Sequence, residues 1–249
     1  MADRRLLAIC ATIAVLAGCA STPEQEEPAL PALPVEQRMS NAQAMLDSGQ
    51  FDRAGALFSG VIEEAPEQAD ALAGLGRVHL HRGELVQAEE LFGRALELAP
   101  DNGDAREGLA LTALADGSRD TAREQLSALL EDEPNRWRSW DGLAVIADLD
   151  GRFEDAQTLY QRALEEGGPE PVILNNQGYS HMMAGQLDQS RQLLQRALSR
   201  YSDAELVRSN LALAQARAGD DSLARQTRKG VSEERRVGKG GRCRSTPDQ

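Results

Sequence analysis

The chain has 249 residues, a formal net charge of −13, only 4% aromatic residues and three cysteines. Residues 1–18 carry a net +1 and residues 232–249 a net +2, so residues 19–231 carry −16. That balance repels a phosphate backbone and excludes nucleic acid as a partner, while favouring solubility and a basic partner. Three cysteines, of which Cys10 and Cys19 lie in the first 19 residues, leave Cys243 alone, so no disulfide framework and no metal spacing is expected.

The N-terminus opens the chain-order reading. Arg4 and Arg5 precede an apolar run from Leu6 to Ala17. This run is too short for a permanent membrane span and has the pattern of a secretory signal. It ends in Leu16-Ala17-Gly18-Cys19. These residues resemble the lipobox of bacterial lipoproteins, against the plainer alternative of an ordinary cleaved signal. The resemblance implies lipidation at Cys19, anchoring to a membrane, and, because Ala20 rather than Asp follows, an outer-membrane address facing the periplasm. Residues 19–34 hold Pro23, Pro28, Pro31 and Pro34 with Glu24, Glu26 and Glu27 and show no apolar periodicity. They read as a disordered tether, reaching about 45 Å if extended.

From Val35 the chain changes character. Gly49, Gly83, Gly117, Gly151, Gly185 and Gly219 stand 34 residues apart. Seven residues before each glycine is a small residue: Ala42, Gly76, Ala110, Ala144, Gly178, Ala212. Five residues after each is another: Ala54, Ala88, Ala122, Ala156, Ser190, Ala224. A 34-residue period with apolar residues at helical spacing predicts helix–turn–helix units. In the second unit, helix A is expected over about Ala69–Arg82 and helix B over Leu85–Leu98. The glycine column ends each helix A in a left-handed conformation. The small columns let the two helices of a unit approach closely. Phe58, Phe92, Leu126, Tyr160 and Leu194 fill the space between units, with Ile62, Leu96, Leu130, Leu164 and Leu198 one column over. Pro66, Pro100 and Pro134 close helix B. The fourth unit shifts this role to Pro169 and Pro171, and the fifth has Ser202 instead.

On these columns, residues 35–228 resemble the tetratricopeptide repeat family. The resemblance implies an all-α fold: a solenoid of about six helix–turn–helix units wound as a right-handed superhelix. The units are 35–68, 69–102, 103–136, 137–170, 171–204 and an incomplete 205–231. No unit buries its apolar stripe alone, so neighbours stabilise one another. Beyond Arg228 the chain turns basic and glycine-rich. The run Ser232-Glu233-Glu234-Arg235-Arg236-Val237-Gly238-Lys239 resembles the conceptual translation of a sequencing adapter. Residues 232–249 therefore read as a non-native tail, with a disordered basic tail or a polar cap as alternatives.

The chain offers little for catalysis. His79 and His81, two apart on a helix, point to different sides and are poor co-ligands. His79 and His181 fall in a packing column. No His-Glu-x-x-His run and no Gly-rich phosphate loop occurs. Trp140 stands in the Trp column of the repeat and reads as inter-helix filler; Trp137 opens the same helix and could flank a partner. Neither a cofactor, nor a metal, nor a small-molecule substrate, nor an enzymatic activity is expected. Acidic clusters such as Glu131-Asp132-Glu133 read as a solvated rim.

In tetratricopeptide superhelices helix A lines the concave face. By that resemblance the partner-binding groove maps onto Arg77, Leu80, His81, Leu111, Leu114, Arg138, Asp141, Val145, Asn175, Tyr179, Met182 and Met183. This mixture, apolar with scattered polar groups, suits a peptide-holding channel; the two methionines are groove liners if exposed and core if not. The set departs from the chaperone-tail clamp, whose Asn column would fall at Arg77, Leu111, Val145 and Tyr179. The runs Leu174-Asn175-Asn176-Gln177-Gly178-Tyr179 and Asn210-Leu211-Ala212-Leu213-Ala214, with the lipobox and tether, resemble the TadD lipoproteins of Tad/Flp pilus assembly, although Leu usually stands at Gln177. That resemblance implies a protein-interaction scaffold whose partners are a secretin or other pilus-assembly components. The pilotins of type IV pili, the PilF/PilW type, share the plan, and a generic periplasmic adaptor is the third reading.

Overall fold

The computed structural model describes residues 33–200 and 205–228. The expectations for the signal, the lipidated Cys19, most of the tether and the 232–249 tail lie outside the described residues. The described residues from Val35 belong to one compact unit.

The described residues of that unit are all helix and connecting turn. The helices are α1 (Val35–Asp47), α2 (Phe51–Glu64), α3 (Ala69–His81), α4 (Leu85–Leu98), α5 (Gly103–Ala115), α6 (Arg119–Asp132), α7 (Trp137–Leu149), α8 (Phe153–Glu165), α9 (Glu170–Met183), α10 (Leu187–Arg200) and α11 (Glu205–Arg217). Residues 221–228 form a twelfth helical segment, α12. Odd-numbered helices are the A helices and even-numbered ones the B helices of successive hairpins.

Each A helix stops at the predicted glycine. At the α3–α4 turn, Gly83 has φ +74. Its N–H bonds Leu80 O at 3.0 Å, and the Glu84 N–H bonds His79 O at 3.0 Å. This pair of bonds is the Schellman stop, which satisfies the last carbonyls and needs a left-handed residue. The same pair recurs at Gly49, Gly117, Gly151, Gly185 and Gly219. A Cβ at Gly83 would meet nothing within 4 Å, so backbone conformation rather than space selects glycine here. The turn also has a side-chain tie that the packing-column reading of His79 and His181 lacked: His79 Nδ1 pairs with Glu84 and His181 Nδ1 with Gln186, each spanning the glycine.

The expected columns are buried. Ala54, Ala88, Ala122, Ala156 and Ser190 are fully shielded, as are Ala42, Ala110, Ala144 and Ala212. Phe58, Phe92, Leu126, Tyr160 and Leu194 are at most 1% exposed. What they pack on includes a column absent from the sequence reading. A Cβ on Gly74 would lie 2.4 Å from the Phe58 ring, and one on Gly108 would lie 2.2 Å from the Phe92 ring. One on Gly142 would lie 2.9 Å from Leu126. Gly74, Gly108 and Gly142 thus open a socket in α3, α5 and α7 for the bulky residue of the preceding unit.

One expectation is corrected. Pro169 and Pro171 do not close α8. Gly167, at φ +86, ends that helix, and Pro169 is the N-cap of α9 with Pro171 in its first turn. Proline is favoured there because the first-turn N–H has no helical partner to lose.

Candidate partner-binding groove

Curvature follows from which helices touch. Each A helix contacts the next A helix along the stack, whereas no two of the B helices α2, α4, α6, α8 and α10 contact one another. The A layer therefore lies on the shorter, inner radius, and its free side chains face the concave surface.

The N-terminal half of this surface is charged, unlike the largely apolar channel the sequence suggested. Arg138 on α7 reaches across to Asp47 at the end of α1, Nη2 to Oδ1 3.2 Å. Arg77 on α3 approaches the same oxygen at 3.5 Å. Burial lowers the Arg77 pKa, and the Arg138 charge lowers it further, against the opposing pull of Asp104, Asp47 and Glu107. Beside this group the His81 ring stacks on Phe51, centroids 4.3 Å apart. Desolvation within the groove, with the charges of Arg77 and Arg138, lowers the His81 pKa. The Arg138 guanidinium lies 4.4 Å from the Trp137 ring centroid, a cation–π contact. Buried Glu107 accepts from Ser139 Oγ at 2.7 Å, while Arg136 binds Asp104 and Glu133, each at 2.7 Å. An open cleft of about 250 Å³ is lined by Glu107, Glu133, Asn135, Arg136, Trp137 and Arg138.

A polar ladder runs onward between A helices. Asn176 Nδ2 donates to Asp141 at 2.9 Å, and Asn210 Nδ2 donates to Asn175 Oδ1 at 2.9 Å. Burial pushes the Asp141 carboxyl up to about 6; the Asn176 bond pulls it down and Asp148 pushes it up. Asp148, also raised by burial, accepts from Ser180 Oγ at 2.6 Å and Tyr160 Oη at 2.8 Å. The bonds to both carboxylates come from hydroxyl and amide donors, which favour the ionised form against the effect of burial.

The sequence-derived groove residues thus divide. Arg77 and Arg138 meet at Asp47, His81 stacks on Phe51, and Asp141 belongs to the polar ladder; Asp47, Phe51, Asp104 and Glu107 were not selected by the sequence reading. Asp47 and Arg138 lie 91 residues apart, not a multiple of the period, so no column links them. Leu80, Leu111, Leu114 and Val145 are half-buried and pack against the inter-unit clusters. Tyr179 and Met183 face solvent, 42% and 47% exposed. Met182 and Asn175 are corrections. Met182, 1% exposed, packs in the core with Leu174, Leu194 and Leu211. Asn175 is buried with both amide atoms bonded within the ladder. Trp140 likewise does more than fill: its indole N–H donates to Pro134 O, and its ring walls an outer cleft of about 600 Å³ with Leu159, Arg162 and Glu165. Among the described residues no helix is long and apolar enough to cross a membrane, and no His/Cys/Asp/Glu group suits a metal ion.

Two family models, both for the tetratricopeptide repeat, match this chain. One matches residues 40–103 and 175–227, and the other residues 82–146. The chain belongs to the tetratricopeptide repeat family. None of the curated proteins matches it by sequence. Among solved structures it is similar to TTC0263, a thermophilic TPR protein of Thermus thermophilus, with TM-score 0.63 and 19% identity over 74% of this chain and 100% of that one. It is similar to human IFIT1, solved with m7Gppp-AAAA, with TM-score 0.70 and 18% identity over 80% of this chain and 50% of that one. It is also similar to PilW, a type IV pilus biogenesis factor, with TM-score 0.60 and 15% identity over 80% of this chain and 92% of that one. At these identities the likenesses show the fold. A repeat stack of this kind is a scaffold suited to protein interaction.

Proposed function

We propose that this protein is a non-enzymatic scaffold, anchored by lipid at Cys19 in the outer membrane, whose concave face holds a protein partner during assembly of a Tad/Flp-type pilus or secretion apparatus. The observation that carries the reading is the A-helix surface, an inner face that leaves Tyr179 and Met183 open to solvent. The lipobox resemblance supports the anchor, and the TadD-like late repeats support the pilus role. Two or three acyl chains hold far more firmly than one, and the Pro/Glu stretch would let the repeats stand off the lipid.

A second reading, a type IV pilus pilotin, has its own support: PilW shares the fold across nearly its whole length. Neighbouring genes separate the two, since a Tad-type ATPase and Flp prepilin favour the first. The experiment that tests the common core is fractionation and capture. Cys19→Ser moves the protein from the membrane to the soluble fraction, and Tyr179→Ala with Leu111→Asp abolishes capture of the secretin or its partners. Unchanged capture by those groove variants would contradict the reading.

A further inference from the structure

Nine large apolar side chains are exposed among the described residues, and five of them belong to A helices of the last three units. These are Leu149, Val172, Tyr179, Met183 and Leu206, between 42% and 66% exposed. Their register places them on the inner face. Val172 and Leu206 continue the 34-residue column of Arg138; Leu149 and Met183 continue the column of Asp47 and His81. Those two columns meet across the groove, because Arg138 bonds Asp47. Earlier in the stack the same columns hold Asp70, Asp104, Arg138, Asp47 and His81. Along these two columns the side chains change from polar or charged to apolar, after Arg138 in one and after His81 in the other.

Arginine borders the apolar stretch at both ends. Arg138 stands at the near end, where it and Arg77 share a single Asp47 oxygen. Arg217, the next residue of the Leu149–Met183 column, stands at the far end. Its guanidinium donates to the Met182 carbonyl at 3.4 Å, and no carboxylate pairs with it among the described residues. Two cationic borders in a chain this acidic select against a basic occupant.

We propose that Leu149, Val172, Tyr179, Met183 and Leu206 form a docking strip for an apolar segment of a partner protein that carries acidic side chains at its ends, its apolar residues on the strip and its carboxylates on Arg138 and Arg217. This rests on the groove reading above and specifies the chemistry of its partner. The chain's own residues 232–249, net +2, have the wrong sign for the strip. Residues 24–33, with Glu24, Glu26 and Glu27 ahead of Leu30 and Leu33, have the right one and are the competing occupant.

The test uses the full lipidated protein in detergent and two fluorescent synthetic peptides with the same Leu/Phe centre, one ending in Glu and one in Lys. The Glu-ended peptide binds at least ~10-fold more tightly, a difference of about 1.4 kcal/mol. Arg217→Ala removes the preference but not the binding, and the surface change Met183→Glu weakens both peptides by ~10-fold, with helical circular dichroism unchanged. Equal binding of the two peptides, or unchanged binding by Met183→Glu, overturns the proposal even if groove variants abolish partner capture. If Glu24, Glu26 and Glu27 changed together to Gln raise affinity for the Glu-ended peptide ~10-fold, the strip belongs to the chain itself and the partner assignment fails.

Discussion

Asp141 is the residue whose chemistry departs furthest from its unfolded state among the groove carboxylates. Its pKa is raised to about 6 by burial. A raised carboxyl contributes stability that is fully present below the unfolded value near 4 and is lost as pH rises through about 6. Asp141→Asn should therefore stabilise the protein by about 1–3 kcal/mol at pH 8 and leave it little changed at pH 4. Thermal melts of both proteins across that range check the sign. The glycine socket gives a second prediction. Gly108→Ala places a methyl on the Phe92 ring and should cost about 1–3 kcal/mol, like Ala88→Phe at the neighbouring small column. By contrast Gly83→Ala meets no atom, and only its positive φ opposes it, at roughly 1 kcal/mol. Denaturant melts distinguish the three. The small columns were legible in sequence because all six units keep them. The Gly74, Gly108 and Gly142 column was not, because Asn176 and Asn210 replace glycine in the later units and trade the socket for the polar ladder.

At the scale of helices, the stops were readable and the charges were not. A left-handed glycine leaves a sequence signature at a fixed offset, and Schellman bonds follow from it. The prolines after α8 misled because one residue type serves two positions: it can follow a helix or open the next one. The Asp47–Arg138 bridge had no local signature at all, since only curvature of the stack brings α1 near α7. That bridge joins a half-exposed carboxylate to an arginine, so its strength is limited. A double-mutant cycle with Asp47→Asn and Arg138→Gln should give a coupling of ~0.2–1 kcal/mol that declines with added salt. Coupling that persists at 1 M salt would mean that the pair is held by packing rather than by charge.

For the whole molecule, stability is shared between neighbours. Phe58, Phe92 and Leu126 are each seated on a glycine of the next A helix, so these hairpins are completed by their successors. The same stacking decides where function can reside. B helices stand apart on the outside, A helices close ranks on the inside, and the inner face runs from a self-paired charged half to an open apolar half. The repeat could be read from the 34-residue period, whereas the groove positions came from the family resemblance. The division of that groove could be read from neither, because it depends on which side chains pair across the curve. The most direct measurement is site-specific photocrosslinking in the living envelope, with the reactive group placed at Tyr179 on the inner face and, separately, at Glu124 on outer helix α6. Crosslinks to one defined protein at Tyr179, with none at Glu124, are the predicted result. Crosslinks to that protein at Glu124 alone would contradict a concave-face scaffold.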